Sequence, residues 1–200
     1  MKKSQKMTTI ENIKTLREET GVSISDCKKA LQESEGDIEK AKEVLRKWGR
    51  ELAGKKSGRE AKEGIIEVYL HPNKKVGVIL DIRSESDFVA KSSEFQALAH
   101  EICLQIAAMK PRFVSSEDIP EDELQKEKEI YQEQFKKSDK PKNVLDNIIK
   151  GKLEKYKEEI SLLSQPWVKG PNKKIKSLIE EYIAKFGENI IVKKFERFEI

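Results

Sequence analysis

The spacing of apolar residues changes at Gly64, and that change limits what the chain can fold into. Before it, apolar residues recur every three or four positions. Directly after it, Ile66, Val68 and Leu70 alternate with Glu67 and Tyr69. The first spacing gives a helix with one buried stripe, the second a strand with two different faces. The chain therefore begins as a helical module and continues as a mixed one.

In the helical part, Thr8 and Glu11 have capping-box spacing, and Ile10, Ile13 and Leu16 trace an apolar face that stops at Gly21. Ser23 and Asp26 open a second helix, with Ile24, Cys27, Ala30 and Leu31 apolar and Gly36 as its stop. Asp37 caps a third, which carries Ile38, Ala41, Val44, Leu45 and Trp48 and ends at Gly49. Three such stripes can bury one another, but so small a core is marginal unless docked or bound. From Arg50 to Glu63 no apolar stripe continues, and the segment reads as a linker or helical extension.

Beyond Gly64, a turn at Pro72-Asn73 and the run Val76 to Ile82 complete a β-hairpin. Phe95, Leu98, Ala99, Ile102, Cys103 and Ile106 predict a helix over 92–109, ended by Pro111. Further helices are predicted over 120–137 and 141–156, and one through Ile175 to Phe186 stopped by Gly187. Pro166-Trp167 reads as a loop, and 190–200 as a terminal strand. The predicted fold class is α+β, with a three-stranded antiparallel sheet packed by helices. The expected organisation is a disordered extension over 1–7, a three-helix domain over 8–50, a linker or helical extension over 51–63 and an α+β core over 64–200.

Composition narrows the partners. Forty Lys+Arg stand against 36 Asp+Glu, and the two signs are interleaved. A nucleic-acid footprint would concentrate the positive residues, so no direct nucleic-acid partner is expected. The small basic excess and the Lys-rich stretch from Gly54 to Lys62 favour an RNA-binding alternative. The scarcity of aromatics for a stacking platform opposes it. No apolar run approaches the roughly 20 residues of a membrane span, and the basic start, Met1 to Met7, leads into no apolar segment of a secretory signal. Cys27 and Cys103 fall at apolar helical positions, as buried free thiols of a reducing compartment do, so a cytoplasmic protein is expected.

Nothing in the sequence assembles a catalytic centre. His71 sits at a hairpin turn and His100 in a helix, without companions at metal-ligand spacing, so neither metal nor cofactor is expected. Gly49-Arg50-Glu51-Leu52-Ala53-Gly54-Lys55-Lys56 matches a phosphate-binding loop except at its last place, and it follows a helix where the motif needs a buried strand. The informative stretch is Ser84-Glu85-Ser86-Asp87-Phe88-Val89-Ala90-Lys91, where two large apolar residues interrupt polar surroundings. Either Phe88 or Val89 staples back onto the following helix, or an exposed aromatic anchor is held between rigid elements for a partner.

Several blocks, in order, carry a family resemblance. Thr15 to Gly21, Asp26 to Leu31 and Gly36 to Ala41 closely resemble the N-terminal domain of the elongation factor Ts family. Ser86-Asp87-Phe88-Val89-Ala90-Lys91 looks like its Thr-Asp-Phe-Val-Ala signature, and Gln105 to Pro111 and Gly187 to Ile190 are similar to later blocks. The resemblance implies a ubiquitin-associated-like three-helix domain and an α+β core. It also implies a guanine-nucleotide exchange factor, not an enzyme, that promotes GDP release from elongation factor Tu. Asp87 and Phe88, flanked by Ser86 and Val89, would then disturb the Mg²⁺ and phosphate site of Tu. The turn Gly21, Val22, Ser23, Ile24, Ser25 would grip another face of it. Ser86 stands where Thr is usual, and Ile24-Ser25 replaces a pair that is Met-Met in some members. The chain resembles short members with a single core repeat, for which a homodimer is expected.

Overall fold

The structure, a computed structural model, describes residues 9–136 and 141–200. The extension expected over 1–7 lies outside them, as does Thr8. The helical elements begin with α1 (Ile10–Thr20), α2 (Ile24–Glu33) and α3 (Ile38–Lys56), before the hairpin of β1 (Glu63–Leu70) and β2 (Val76–Ser84). There follow α4 (Asp87–Ala90), α5 (Ser93–Met109), α6 (Glu121–Phe135) and α7 (Lys142–Ile160). A small hairpin of β3 (Pro166–Trp167) and β4 (Gly170–Lys174), then α8 (Ile175–Phe186) and β5 (Ile190–Glu199), complete the chain. β1, β2 and β5 form a three-stranded antiparallel sheet in that order, so the fold is α+β as its periodicities imply. Two compact units divide the residues. One draws on the chain up to Ile65, on Arg83–Gln96 and on Ser177–Ile191, the other on Ile66–Ile82, Ala97–Lys176 and Val192–Ile200.

In the first unit, Leu16, Val22, Cys27, Ala30, Leu31, Ala41 and Leu45 form the buried cluster of α1–α3. Side-chain caps start each helix: Thr9 accepts from Asn12 N, Ser23 from Asp26 N and Asp37 from Lys40 N. The cap of α1 is therefore Thr9, one residue after the position that the spacing suggests. Ile10 and Ile24 depart from the expected core faces: they are 86% and 55% exposed. Each is the first residue of its helix, where the stripe has not yet turned toward the cluster.

The third helix also outruns its predicted end. Gly49 does not stop α3, which continues to Lys56. A Cβ at Gly49 would come within 3.2 Å of the Ala184 Cβ and 3.5 Å of the Glu180 carbonyl oxygen. Gly49 is thus a site of close approach to α8, and a stop would have needed a left-handed backbone. The near-match to a phosphate-binding loop lies wholly within α3, where helical hydrogen bonds occupy its amides.

In the second unit, α5 covers one face of the sheet. His100 packs edge-on to Tyr69 with ring centroids 5.9 Å apart, and Cys103 Sγ–H points to the Glu67 carbonyl at 4.0 Å. Arg197 donates from Nε and Nη2 to the Ala107 carbonyl at 3.3 and 3.2 Å. Because strand residues alternate, the neighbours of these side chains face the other way. Ile66, Val68, Leu70, Ile79 and Phe198 accordingly stand exposed on the opposite face. Both cysteines are buried and free, and burial pushes the Cys103 thiol up to about 12.

The segment after α7 is held by two buried glutamines that sequence patterns do not single out. Gln105 Nε2 donates to Gln165 Oε1 and to the Pro166 carbonyl, both at 3.1 Å, and its Oε1 accepts from Val168 N at 2.9 Å. Gln165 Nε2 donates in turn to the carbonyls of Glu159 at 2.6 Å and Met109 at 3.3 Å. These bonds order what otherwise reads as a loop, and they explain the β3–β4 hairpin that periodicity misses. Gln105→Ala strands several buried groups at about 1–3 kcal/mol each. We expect a loss of about 3 kcal/mol and a melting point lower by roughly 6–12 °C, measured by calorimetry.

Candidate partner-binding site

The signature stretch begins where β2 ends and becomes the single turn α4. Ser86 has an extended backbone (φ −121°, ψ 155°) and caps the turn, its Oγ accepting from Val89 N at 3.3 Å. Successive helical residues point about 100° apart, so a one-turn helix cannot present all its side chains to one side. Val89 and Ala90 turn inward and are buried, while Asp87 and Phe88 turn outward. Phe88 is 82% exposed. The two alternatives left open by the sequence are divided between neighbours, with Val89 as the buried member and Phe88 as the exposed aromatic.

Asp87 lies 2.7 Å from Lys91 Nζ, and the hydrogen bond and charge of Lys91 hold its carboxyl below the usual range. After α4, Ser92 caps α5 by accepting from Phe95 N at 3.2 Å, and Phe95 is fully buried. The aromatic tip is thus carried between a strand end and a capped helix.

The supporting residues come from far along the chain. The Ser86 N–H and O–H both donate to the Glu188 carboxylate, at 2.9 and 2.6 Å. Asn189 N donates to Glu85 Oε1 at 2.6 Å, and Asn189 Nδ2 to the Arg59 carbonyl at 2.8 Å. The Asn189 N–H, with the Lys56 and Arg59 charges, holds the Glu85 carboxyl below its ordinary value. Lys56 Nζ donates to the Gly187 carbonyl just past α8. Sequence reasoning takes Gly187 as a helix stop and its neighbours as part of a family block. It assigns no role to Glu188 or Asn189. A partner 102 residues away leaves no local periodic signal.

The second predicted element belongs to the same unit. Gly21 adopts φ +68° and closes α1, its N–H donating to the Arg17 carbonyl at 2.7 Å. A Cβ there would fall 2.6 Å from Lys185 Cε, so the turn lies against the stem of Lys185 on α8. Lys185 Nζ is itself held 2.7 Å from Glu94. Val22 is buried in the helix cluster, Ser23 is the exposed cap of α2, and Ile24 and Ser25 are exposed on its first turn. Of the turn's large apolar residues, only Ile24 is free to meet a partner. Among the described residues, no group of three or more His, Cys, Asp or Glu is placed to hold a metal ion.

Residues 5–200 match the family model described as Elongation factor TS. The chain is 53% identical over 192 residues to Elongation factor Ts of Thermotoga neapolitana, covering 96% of each. It is 52% identical to Elongation factor Ts of Thermodesulfovibrio yellowstonii and 47% identical to that of Caldanaerobacter subterraneus subsp. tengcongensis, again over 96% of each chain. With nearly the whole length matched, the chain belongs to the elongation factor Ts family of translation elongation factors.

Proposed function

We propose that the protein is the guanine-nucleotide exchange factor for elongation factor Tu, acting in the cytoplasm by binding and without making or breaking a covalent bond. The observation that carries this is Phe88, a large aromatic 82% exposed on a turn whose other apolar residues are buried. Leaving such a ring in water forgoes about 1.5–3 kcal/mol of burial, which a partner can recover. An exchange factor needs to bind the nucleotide-free GTPase better than the GDP-bound form. By linkage it then weakens GDP by the same factor by which GDP weakens it. In this scheme the Gly21–Ser25 turn grips Tu with either nucleotide state, and Asp87 and Phe88 enter only when the Mg²⁺ and phosphate elements have shifted. Ser86 and Val89 serve from inside, as cap and as buried anchor.

The chain acts as a homodimer, joined through the bare face of the sheet. Ile66, Val68, Leu70, Ile79 and Phe198 bring exposed apolar side chains from all three strands. An apolar face of this kind is unusual on a monomer and suits a two-fold partner. Neither nucleic acid nor membrane enters the scheme. No helix among the described residues is long and apolar enough to cross a membrane. The test is release of a fluorescent GDP analogue from purified bacterial Tu. Substoichiometric protein should accelerate release, since an exchange factor turns over, and the absence of acceleration with competent Tu would refute the proposal.

A further inference from the structure

Ser86 has every polar group engaged. Its N–H and O–H go to the two oxygens of Glu188, and its carbonyl accepts from Ser84 Oγ at 2.9 Å and Ala90 N at 3.2 Å. The engagement is reciprocal between two segments: Glu188 receives the Ser86 N–H, while Glu85 receives the Asn189 N–H. Two neighbouring carboxylate–amide exchanges tie 85–86 to 188–189, as rungs tie two rails. The 188–189 rail is fixed in turn by Asn189, 3% exposed and bonded to the Arg59 carbonyl, and by Lys56 on the Gly187 carbonyl.

The helix that this clamp supports has four residues. So short a helix does not sustain itself, and its direction is set by what holds its first residue. Val89 and Ala90 anchor it from below, and the bonds of Ser86 to Glu188 add a separate hold at its first residue. From these contacts we infer that Glu188 is a positioning residue for nucleotide exchange: it touches no partner, and through Ser86 it fixes the orientation in which Phe88 is presented. Resting on the exchange function above, this assigns a task to a residue outside the signature. Charge-assisted hydrogen bonds to a carboxylate are strong and directional, which suits orientation better than bulk packing does.

A steady-state series on the full-length chain tests it, titrating each variant against Tu loaded with fluorescent GDP analogue. Glu188→Ala is expected to lower the maximal release rate about tenfold and to shift the half-saturating concentration less than about threefold. Glu188→Gln keeps the shape and one acceptor oxygen but turns an NH₂ toward a second donor, so it should show the same split at smaller size. It carries the comparison should the alanine variant melt below the assay temperature. The decisive readout is the cycle with Phe88→Ala. A residue that acts mainly through Phe88 has only Asp87 left to orient in that background, so Glu188→Ala there should cause a much smaller further loss. An unchanged maximal rate, a parallel rise in half-saturation, or an equal loss in the Phe88→Ala background would overturn the positioning role while leaving the exchange function standing. No acceleration by the wild-type chain would remove both.

Discussion

Phe88→Ala should remove most nucleotide release while leaving the complex with Tu largely intact. The ring contributes little to the fold, being 82% exposed, so the variant should melt with the wild type. Its burial is worth about 1.5–3 kcal/mol, or roughly one to two decades in an equilibrium constant. If that gain is realised only in the state from which GDP departs, the loss falls on the release rate and not on the affinity for Tu-GDP. We expect a ten- to hundredfold slower maximal release, with about threefold or less change in half-saturation. Stopped-flow release alongside calorimetric binding separates the two. A proportional fall in both would mean that Phe88 is an ordinary contact and not a wedge.

The second large effect concerns the sheet. Val68→Asp puts a carboxylate in the middle of the exposed apolar face, at a position 61% accessible in the single chain. In a monomer such a change is mild. Across a two-fold interface it appears twice, each time burying a charge without a partner, at about 3 kcal/mol per site. The dimer should then dissociate more readily by roughly four decades, and sedimentation should find the mass of one 23.0 kDa chain. A variant that stays dimeric, or a wild type that is monomeric at micromolar concentration, would place the interface elsewhere or remove it.

Much of the fold could be read from spacing because its elements satisfy local rules. Ser23 and Asp37 cap where their chemistry says they should, Gly21 supplies the left-handed residue, and β1 alternates from Ile65 onward. The misread cap of α1 and the exposed Ile10 and Ile24 are local matters of where a helix begins, but two larger misreadings share another origin. Gly49 looks like a stop until the approach of Ala184 shows why a side chain is missing there. The β3–β4 hairpin looks like a loop until Gln105 bonds the Pro166 carbonyl and the Val168 amide. Each depends on a partner distant in sequence, which no window of neighbouring residues contains.

The candidate site divides in the same way. Phe88 stood out because a large ring in polar surroundings is locally conspicuous. Which of it and Val89 is buried depends on the rotation of one helical turn, whose first residue is bonded to Glu188, beyond the end of α8. Glu188 was one carboxylate among 36 acidic residues, and only its two bonds to Ser86 distinguish it.

Lys185 lies under the Gly21 turn, and Glu188, three residues further on, holds the start of α4. The two proposed contact elements are therefore referenced to the same end of one helix, like the jaws of a calliper set to a single gauge. On the proposed function, such an arrangement would measure its partner. A GTPase with suitable surface chemistry but a different spacing between its two docking points would engage one jaw and miss the other. Selectivity among related GTPases would then reside in a length, and substitutions along the buried face of α8 could retune it without altering any residue that touches the partner.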